Sequence, residues 1–297
     1  MNPPSIKQLK YLRALAEHTH FGRAAEACFV SQSALSTGIN ELETNLGVTL
    51  FERGSKVLIT PIGTKLVKEA QHILNLLDDF VEHATQVHGN GQSDLRLGVI
   101  PTIAPFLLPK IFKTLRDQGS KQKLYIREDL SPNLLDMLGN GDLDLLLFAL
   151  PYNTQNFHTH RLFDDELVLC LPKSHSLTDK EAISVNDLKP HDLLLLEDGH
   201  CLHDQSLKAC NFQSQDLSIP YQATSLNTLV QMVANNIGIT LLPEMAATAN
   251  ITHDTDAQIR HIKSKRNLSR EIVLVWRGNT PRAEEFERFG ELISTLQ

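Results

Sequence analysis

From Thr64 to His88 neither glycine nor proline interrupts the chain, and Leu66, Ala70, Ile73, Leu77, Phe80 and Ala84 recur at alternating spacings of four and three. That alternation is the heptad pattern of a long amphipathic helix. Thr60-Pro61 gives it a start, a capping hydroxyl followed by a proline whose missing N–H is tolerated in a first turn. Gly89-Asn90-Gly91-Gln92-Ser93 gives it an end. A helix of about 28 residues is on the order of 40 Å long. Such a rod encloses no core, so it divides the chain into a head over 1–60, the helix over 61–90, and a body over 91–297. Its apolar stripe packs either on its own chain or on the stripe of a second copy. With a domain at each end and little else in reach, a homodimer seam is the expectation.

A chain of 297 residues exceeds the usual size of one hydrophobic core, which agrees with that division. With 41% hydrophobic and 21% charged residues it is an ordinary globular composition. The start, MNPPSIKQLKYLRALAEH, lacks an apolar secretion segment, and no apolar run is long enough to span a bilayer. A cytoplasmic protein without membrane contact is expected. The net charge of −7 argues against a nucleic-acid coat over the whole surface. Residues 1–68, however, hold eight Lys/Arg against five Glu, a net +3, which leaves −10 for the rest. A basic head on an acidic body suits DNA contact through one end.

In the head, Ile6, Leu9, Leu12 and Leu15, with Ala16, share one face of a helix over 6–17. A short helix follows over about 20–28, and Ser31 caps a third that runs to about Asn45 and stops at Gly47. Leu35, Ile39, Leu42 and Leu46 form the buried stripe of that third helix. Gln32, Ser33, Ser36, Thr37 and Asn40 lie near its exposed N-terminal part, where a recognition helix reads base edges. The run from Leu50 to Thr60 reads as a two-stranded wing whose Arg53 and Lys56 suit phosphate or minor-groove contact. The segment FGRAAEACFVSQSALSTGINELETNLGVTLFERGSKVLITPIG closely resembles the winged helix-turn-helix of LysR-type regulators, almost without gaps. Where many members carry a basic residue, this chain has Asn40.

Beyond residue 95 short apolar runs alternate with helical stretches. LRLGVI, KLYIRE and DLDLLLFAL read as strands separated by helices near 105–116 and 133–140, as in βαβ units. ELVLCLP, DLLLLE, a helix near 225–236 and GITLLP make a second group, and EIVLVWR with a helix over 281–296 closes the chain. The pattern is similar to the LysR effector domain, which implies a two-lobed, periplasmic-binding-protein-like α/β fold. Lobe I would be 92–164 plus 268–297, and lobe II 165–267.

The stretch Leu196-Glu197-Asp198-Gly199-His200-Cys201-Leu202-His203-Asp204, with Cys210 beyond it, is the richest in chemistry. By spacing alone Cys201 and Cys210 could be core residues, a redox pair, or zinc ligands with His200 and His203, although the spacing fits no common structural zinc pattern. Cys170, in an apolar strand, and Cys28, in the head, read as packing residues. LEDGHCLHDQ followed by Cys210, and the run ATSLNTLVQMVANNIGITLLP, closely resemble the hydrogen-peroxide-sensing branch of the LysR family. The resemblance implies that Cys201 is the peroxidatic and Cys210 the resolving cysteine, with Thr102, Ser131, Gly199, His200 and Asp204 around the peroxide. Ser131 stands where relatives often have threonine, and His203 where they commonly have arginine. Should Gln205 to Ala209 form a helical turn, the sulfurs would lie too far apart to join, since bridged Cα atoms approach within about 7 Å. Closing the bridge would then refold the loop.

The expectation is therefore a regulator, not an enzyme, that needs no cofactor or metal. It binds double-stranded operator DNA and responds to hydrogen peroxide. It self-associates as a dimer through the linker helix and further as a tetramer, and it works with RNA polymerase. The alternatives are a LysR regulator answering a small organic effector in the inter-lobe cleft, and a thiol peroxidase for which head and linker would be superfluous.

Overall fold

The computed structural model describes residues 3–54, 57–86, 94–154, 156–189, 191–210, 222–263 and 268–296, in two compact units: 1–93 with 139–142, and 94–138 with 143–297.

The first unit begins with α1 (Ile6–His18), whose start is a capping box. Ser5 Oγ accepts from the Gln8 amide and Gln8 Oε1 accepts from the Ser5 amide. Helix α2 (Phe21–Ala27) is capped by His20, whose Nδ1 accepts from the amides of Gly22 and Arg23. Ser31 caps α3 (Gln32–Leu46) through the Ala34 amide, and Gly47 ends it at φ +68°, a left-handed conformation that suits glycine. Leu9, Leu12, Leu15, Leu35, Ile39 and Leu42 meet in one core. Strands β1 (Phe51–Arg53) and β2 (Val57–Ile59) pair antiparallel as the expected wing. Glu43 fastens the wing to α3 by accepting from the amides of Leu50 and Phe51.

Helix α4 (Pro61–Gln86) begins under Thr60, whose Oγ1 accepts from the Gly63 amide. The linker's expected end at 87–93 lies outside the described residues. Its stripe is not one seam. Ala70 and Leu74 are buried in the head core, with Leu66 and Val67 against it, while Ile73, Leu76, Phe80 and Val81 are exposed. Ala70, expected on the dimer seam, therefore packs on its own chain. The first turns of the rod pack on the head, and the four-three spacing also describes that contact.

The second unit is built on a mixed sheet. Parallel strands β3 (Leu95–Val99), β4 (Leu124–Glu128) and β5 (Leu145–Leu150) alternate with α5 (Ala104–Asp117) and α6 (Ser131–Asn140). A 16-residue strand, β6 (Phe157–Pro172), then crosses from one hydrophobic core to another. Its first half runs antiparallel to β11 (Ser269–Arg277), which also pairs β5. Its second half pairs β9 (Thr240–Pro243) and β10 (Ala257–Arg260). Residues 157–165 carry no strand signal in their polar sequence; pairing with β11 and the stacking of His158 and His160 on Trp276 impose it. The expected strand over 192–197 is reduced to β7 (Leu195–Leu196), paired with β8 (Gln222–Ala223), and a bridge from Leu193 to Ile239.

One core gathers residues from 95–163 and 272–293 together with Cys201, the other the remaining core residues from 167–257, and helix α10 (Ala283–Ser294) closes the first. Between them lies α7 (Cys201–Cys210), longer than the single turn weighed from sequence. Helices α8 (Leu226–Ala234) and α9 (Glu244–Thr248) complete the second lobe. Among the described residues no helix is long and apolar enough to cross a membrane.

Candidate sensing site and DNA-contacting face

All four cysteines are free thiols, and Cys170, Cys201 and Cys210 are buried. Gly199, at φ +96°, turns the chain after β7 into α7, placing Cys201 in the first turn and Cys210 in the last. The two sulfurs belong to different cores: Cys201 packs with the first lobe, whereas Leu202, Leu207 and Cys210 pack with the second. Nine helical steps separate them, about 13 Å along the axis. That is well beyond the roughly 7 Å Cα separation that a disulfide allows.

Ser131, at the start of α6, puts its Oγ 2.7 Å from Cys201 Sγ. Below it lies Arg270, 1% exposed at the start of β11. Its Nε donates to Asp165 Oδ2 at 2.9 Å, its Nη1 to Thr102 Oγ1 at 2.7 Å and its Nη2 to the Thr102 carbonyl at 3.0 Å. Because Thr102 Oγ1 accepts from the guanidinium, its own proton is left to donate elsewhere. Asp165 is held in turn by the Met245 amide at 3.0 Å.

Burial pushes the Cys201 thiol above its ordinary range, opposed by the Ser131 hydrogen bond, the Arg270 charge and the thiol's own backbone amide. Burial pushes Cys210 and Cys170 up to about 12, with no opposing group. The helix dipole adds to the contrast, since it favours an anion at the N-terminal end of α7 and disfavours one at the other end. Of the three buried thiols, Cys201 is the one whose surroundings support a thiolate. His200 is buried, and burial holds its imidazole below the usual histidine range, hence neutral at neutral pH.

The other expected site residues divide. Ser131 is hydrogen-bonded to Cys201, Thr102 to Arg270 whose charge acts on Cys201, and His200 is adjacent to Cys201 in the chain. Asp204 is exposed on the next turn of α7, and its charge raises the Cys201 thiol. His203 turns away: its Nδ1 lies 2.7 Å from the Leu196 carbonyl and its Nε2 3.4 Å from Asp198, so it ties the approach loop to α7. The four-ligand zinc arrangement would need both ends of α7 at one point. Sequence reading missed Arg270 and Asp165; the available signal was an arginine and a glutamate, Arg270-Glu271, at the head of the apolar run Ile272 to Trp276.

On the head, Gln32, Ser33, Thr37 and Asn40 are exposed on α3 and Ser36 is half-buried. Ser33 Oγ lies 3.1 Å from the capping Ser31 Oγ. Arg53 is in β1, and Lys56 lies outside the described residues.

Residues 6–64 match the bacterial regulatory helix-turn-helix proteins of the lysR family, and residues 88–296 match the LysR substrate binding domain. The chain belongs to the LysR family. It is thus a LysR-type DNA-binding regulator with a helix-turn-helix head and a two-lobed regulatory domain. It is 39% identical over 290 residues to the DNA-binding transcriptional dual regulator OxyR of Escherichia coli, covering 97% of this chain and 94% of that one. It is 37% identical over 295 residues to the regulator EstR of Acinetobacter baylyi, covering 99% and 97%. Among solved structures it is similar to a full-length OxyR variant from Pseudomonas aeruginosa, with TM-score 0.77, 32% identity and coverage of 99% and 95%. A peroxide-bound OxyR mutant from Corynebacterium glutamicum matches with TM-score 0.67, 33% identity and coverage of 99% and 93%.

Proposed function

We propose that this LysR-family regulator responds to hydrogen peroxide and is switched by a disulfide between Cys201 and Cys210. The Cys201 thiolate attacks one peroxide oxygen, the O–O bond breaks, and the leaving hydroxide takes up a proton to become water. Donors around Cys201 assist that departure: the free proton of Thr102, the hydroxyl of Ser131 and the backbone near Gly199 and His200, with Asp204 at the rim. The Cys210 thiolate then attacks the sulfenic sulfur, and the oxygen leaves as a second water. The protein reacts stoichiometrically, as a signal rather than a turnover catalyst.

The observation that carries this reading is the pair of thiols at opposite ends of α7, each packed in a different lobe. Joining them must unwind α7, break the His203 contact to Leu196 and the Gln205 bond to the Leu150 carbonyl, and draw Cys201 out of the first core. A change of that size in a domain of 91–297 is suited to resetting how two copies meet. The exposed Ile73, Leu76, Phe80 and Val81 face of α4 is the dimer surface in this reading, two dimers form a tetramer, and paired heads read two half-sites. Gln32, Ser33, Ser36, Thr37 and Asn40 face the bases, Arg53 and Lys56 the backbone, and RNA polymerase is the downstream partner in the cytoplasm.

Non-reducing peptide mass spectrometry before and after one equivalent of peroxide tests the switch. A new peptide joining Cys201 to Cys210, absent in Cys201→Ser, is the expected result. Unchanged thiols with a retained response to a small organic effector would overturn it.

A further inference from the structure

Residues 139–142, the end of α6 and the turn toward β5, belong to the first compact unit, although their neighbours Leu138 and Leu143 belong to the second. A short loop of the regulatory chain is thus packed with α4. Asn75 of α4 donates from Nδ2 to the Asn140 carbonyl at 2.5 Å. Its side chain is 7% exposed, and its Oδ1 accepts from Gln71 Nε2 at 2.8 Å, so the amide is engaged at both its nitrogen and its oxygen. Gly141 is buried at φ +80°, and a Cβ there would stand 2.5 Å from Asn75 Nδ2. The close approach and the left-handed backbone both demand glycine.

The base of this loop is fixed. Leu138 and Leu143 are buried in the first-lobe core, and one guanidinium spans them. Arg277 Nη1 donates to the Leu138 carbonyl at 2.8 Å and to the Leu143 carbonyl at 2.6 Å. The next residue, Asp144, is 3% exposed and pairs with Arg96 at 2.6 Å and with Arg282 at 3.7 Å. Arg277 ends β11, and Arg270 stands near the start of the same strand, seven residues or about 23 Å away. One strand therefore joins the cation that acts on Cys201 to the cation that clamps the base of the loop.

We infer that Asn75 and Gly141 form a clasp through which the redox state of the regulatory domain is passed to α4. A helix joined to a domain at one point turns freely about that point. A second attachment converts any shift of Leu138 and Leu143 into a shift of the helix that carries the head. Withdrawal of Cys201 from the first core removes a neighbour of Arg270, and β11 carries the resulting strain to Arg277. The inference rests on the reading of Cys201 and Cys210 as a redox switch, and it names the positioning residues that transmit its signal.

The test uses the full-length protein on operator DNA, reduced and after peroxide. Mass spectrometry reads the Cys201–Cys210 peptide, and nuclease footprinting with affinity measurement reads the head. Asn75→Asp keeps the volume and removes the Nδ2 donor, and Gly141→Ala places a methyl group in the close approach. Asn140→Ala is the control, because the accepting carbonyl is main chain. In Asn75→Asp and Gly141→Ala the disulfide is expected to form within about twofold of the parent rate. The footprint change on oxidation should be lost, and the oxidised-to-reduced affinity ratio, about 5–150-fold for typical coupled sites, should fall to within about twofold of one. Asn140→Ala should switch as the parent does. The isosteric Asn75→Asp decides alone should Gly141→Ala fail to fold. A redox-dependent footprint in Asn75→Asp equal to the parent's overturns the clasp. So does disulfide formation slowed about fivefold or more, or operator binding lost in both states, since Asn75 would then serve folding alone. A parent that forms no disulfide, or whose footprint ignores it, refutes the switch reading and the clasp with it, and the parent control separates that outcome from failure of the clasp alone.

Discussion

Ser131→Ala isolates the interaction nearest the reacting sulfur. The hydroxyl lies 2.7 Å from Cys201 Sγ, and its hydrogen bond opposes the burial that raises the thiol. A hydrogen bond to a charged acceptor contributes about 1.5–3 kcal/mol, and a pKa shift of one unit corresponds to about 1.4 kcal/mol. Its loss should therefore raise the Cys201 thiol further and cut its thiolate fraction at neutral pH by about 10–100-fold. A more basic thiolate is also a better nucleophile, with a sensitivity of about 0.4–0.5, and that recovers nearly half of the loss on a logarithmic scale. The net expectation is sulfenic acid formation about 3–15-fold slower at neutral pH, measured by stopped-flow mixing with peroxide in a Cys210→Ser background. Ultraviolet thiolate absorbance, referenced to Cys201→Ser, should titrate at higher pH by the same shift. Ser131→Thr keeps the hydroxyl and should stay within about twofold. A neutral-pH rate in Ser131→Ala equal to the parent's would refute the reasoning, as would a slowed rate with an unshifted thiolate titration.

Arg270→Met should destabilise the regulatory domain by about 3–5 kcal/mol, because it leaves Asp165 buried without its charged partner. Urea denaturation would measure this, and a loss below about 1 kcal/mol would mean that the ion pair is not as dry as the structure has it. Gly199→Ala puts a side chain on a left-handed backbone with its Cβ 3.3 Å from Leu130 Cδ1. About 1–2 kcal/mol should be lost from the same transition, together with slower peroxide reaction, and unchanged melting would show that the turn relaxes. Phe80→Glu places a charge on the exposed face of α4 and should lower the oligomeric state seen by light scattering; an unaltered mass would exclude that face as the dimer surface.

The head was legible in the sequence because its determinants are local. Ser31 as cap, Gly47 as stop, the Leu35, Ile39 and Leu42 stripe and the wing each depend on neighbours a few positions away, and each occurs where the sequence places it. The two cysteines stood out for the same reason, in a short run dense in chemistry. What sequence could not decide depends on residues far apart in the chain. Residues 157–165 became strand because β11, over a hundred positions later, pairs with them. Ala70 left the dimer stripe because the head core lay within reach of the first turns of α4. Arg270 is tied to Thr102 across 168 positions and to Asp165 across 105, and no local pattern announces such a cage. Periodicity and capping are properties of a segment, whereas the burial that raises a thiol and the donors and charge that oppose it belong to the packed molecule. The sequence determined which atoms could react; the placing of Cys201 and Cys210 in separate cores, at the two ends of one helix, was decided by tertiary structure alone.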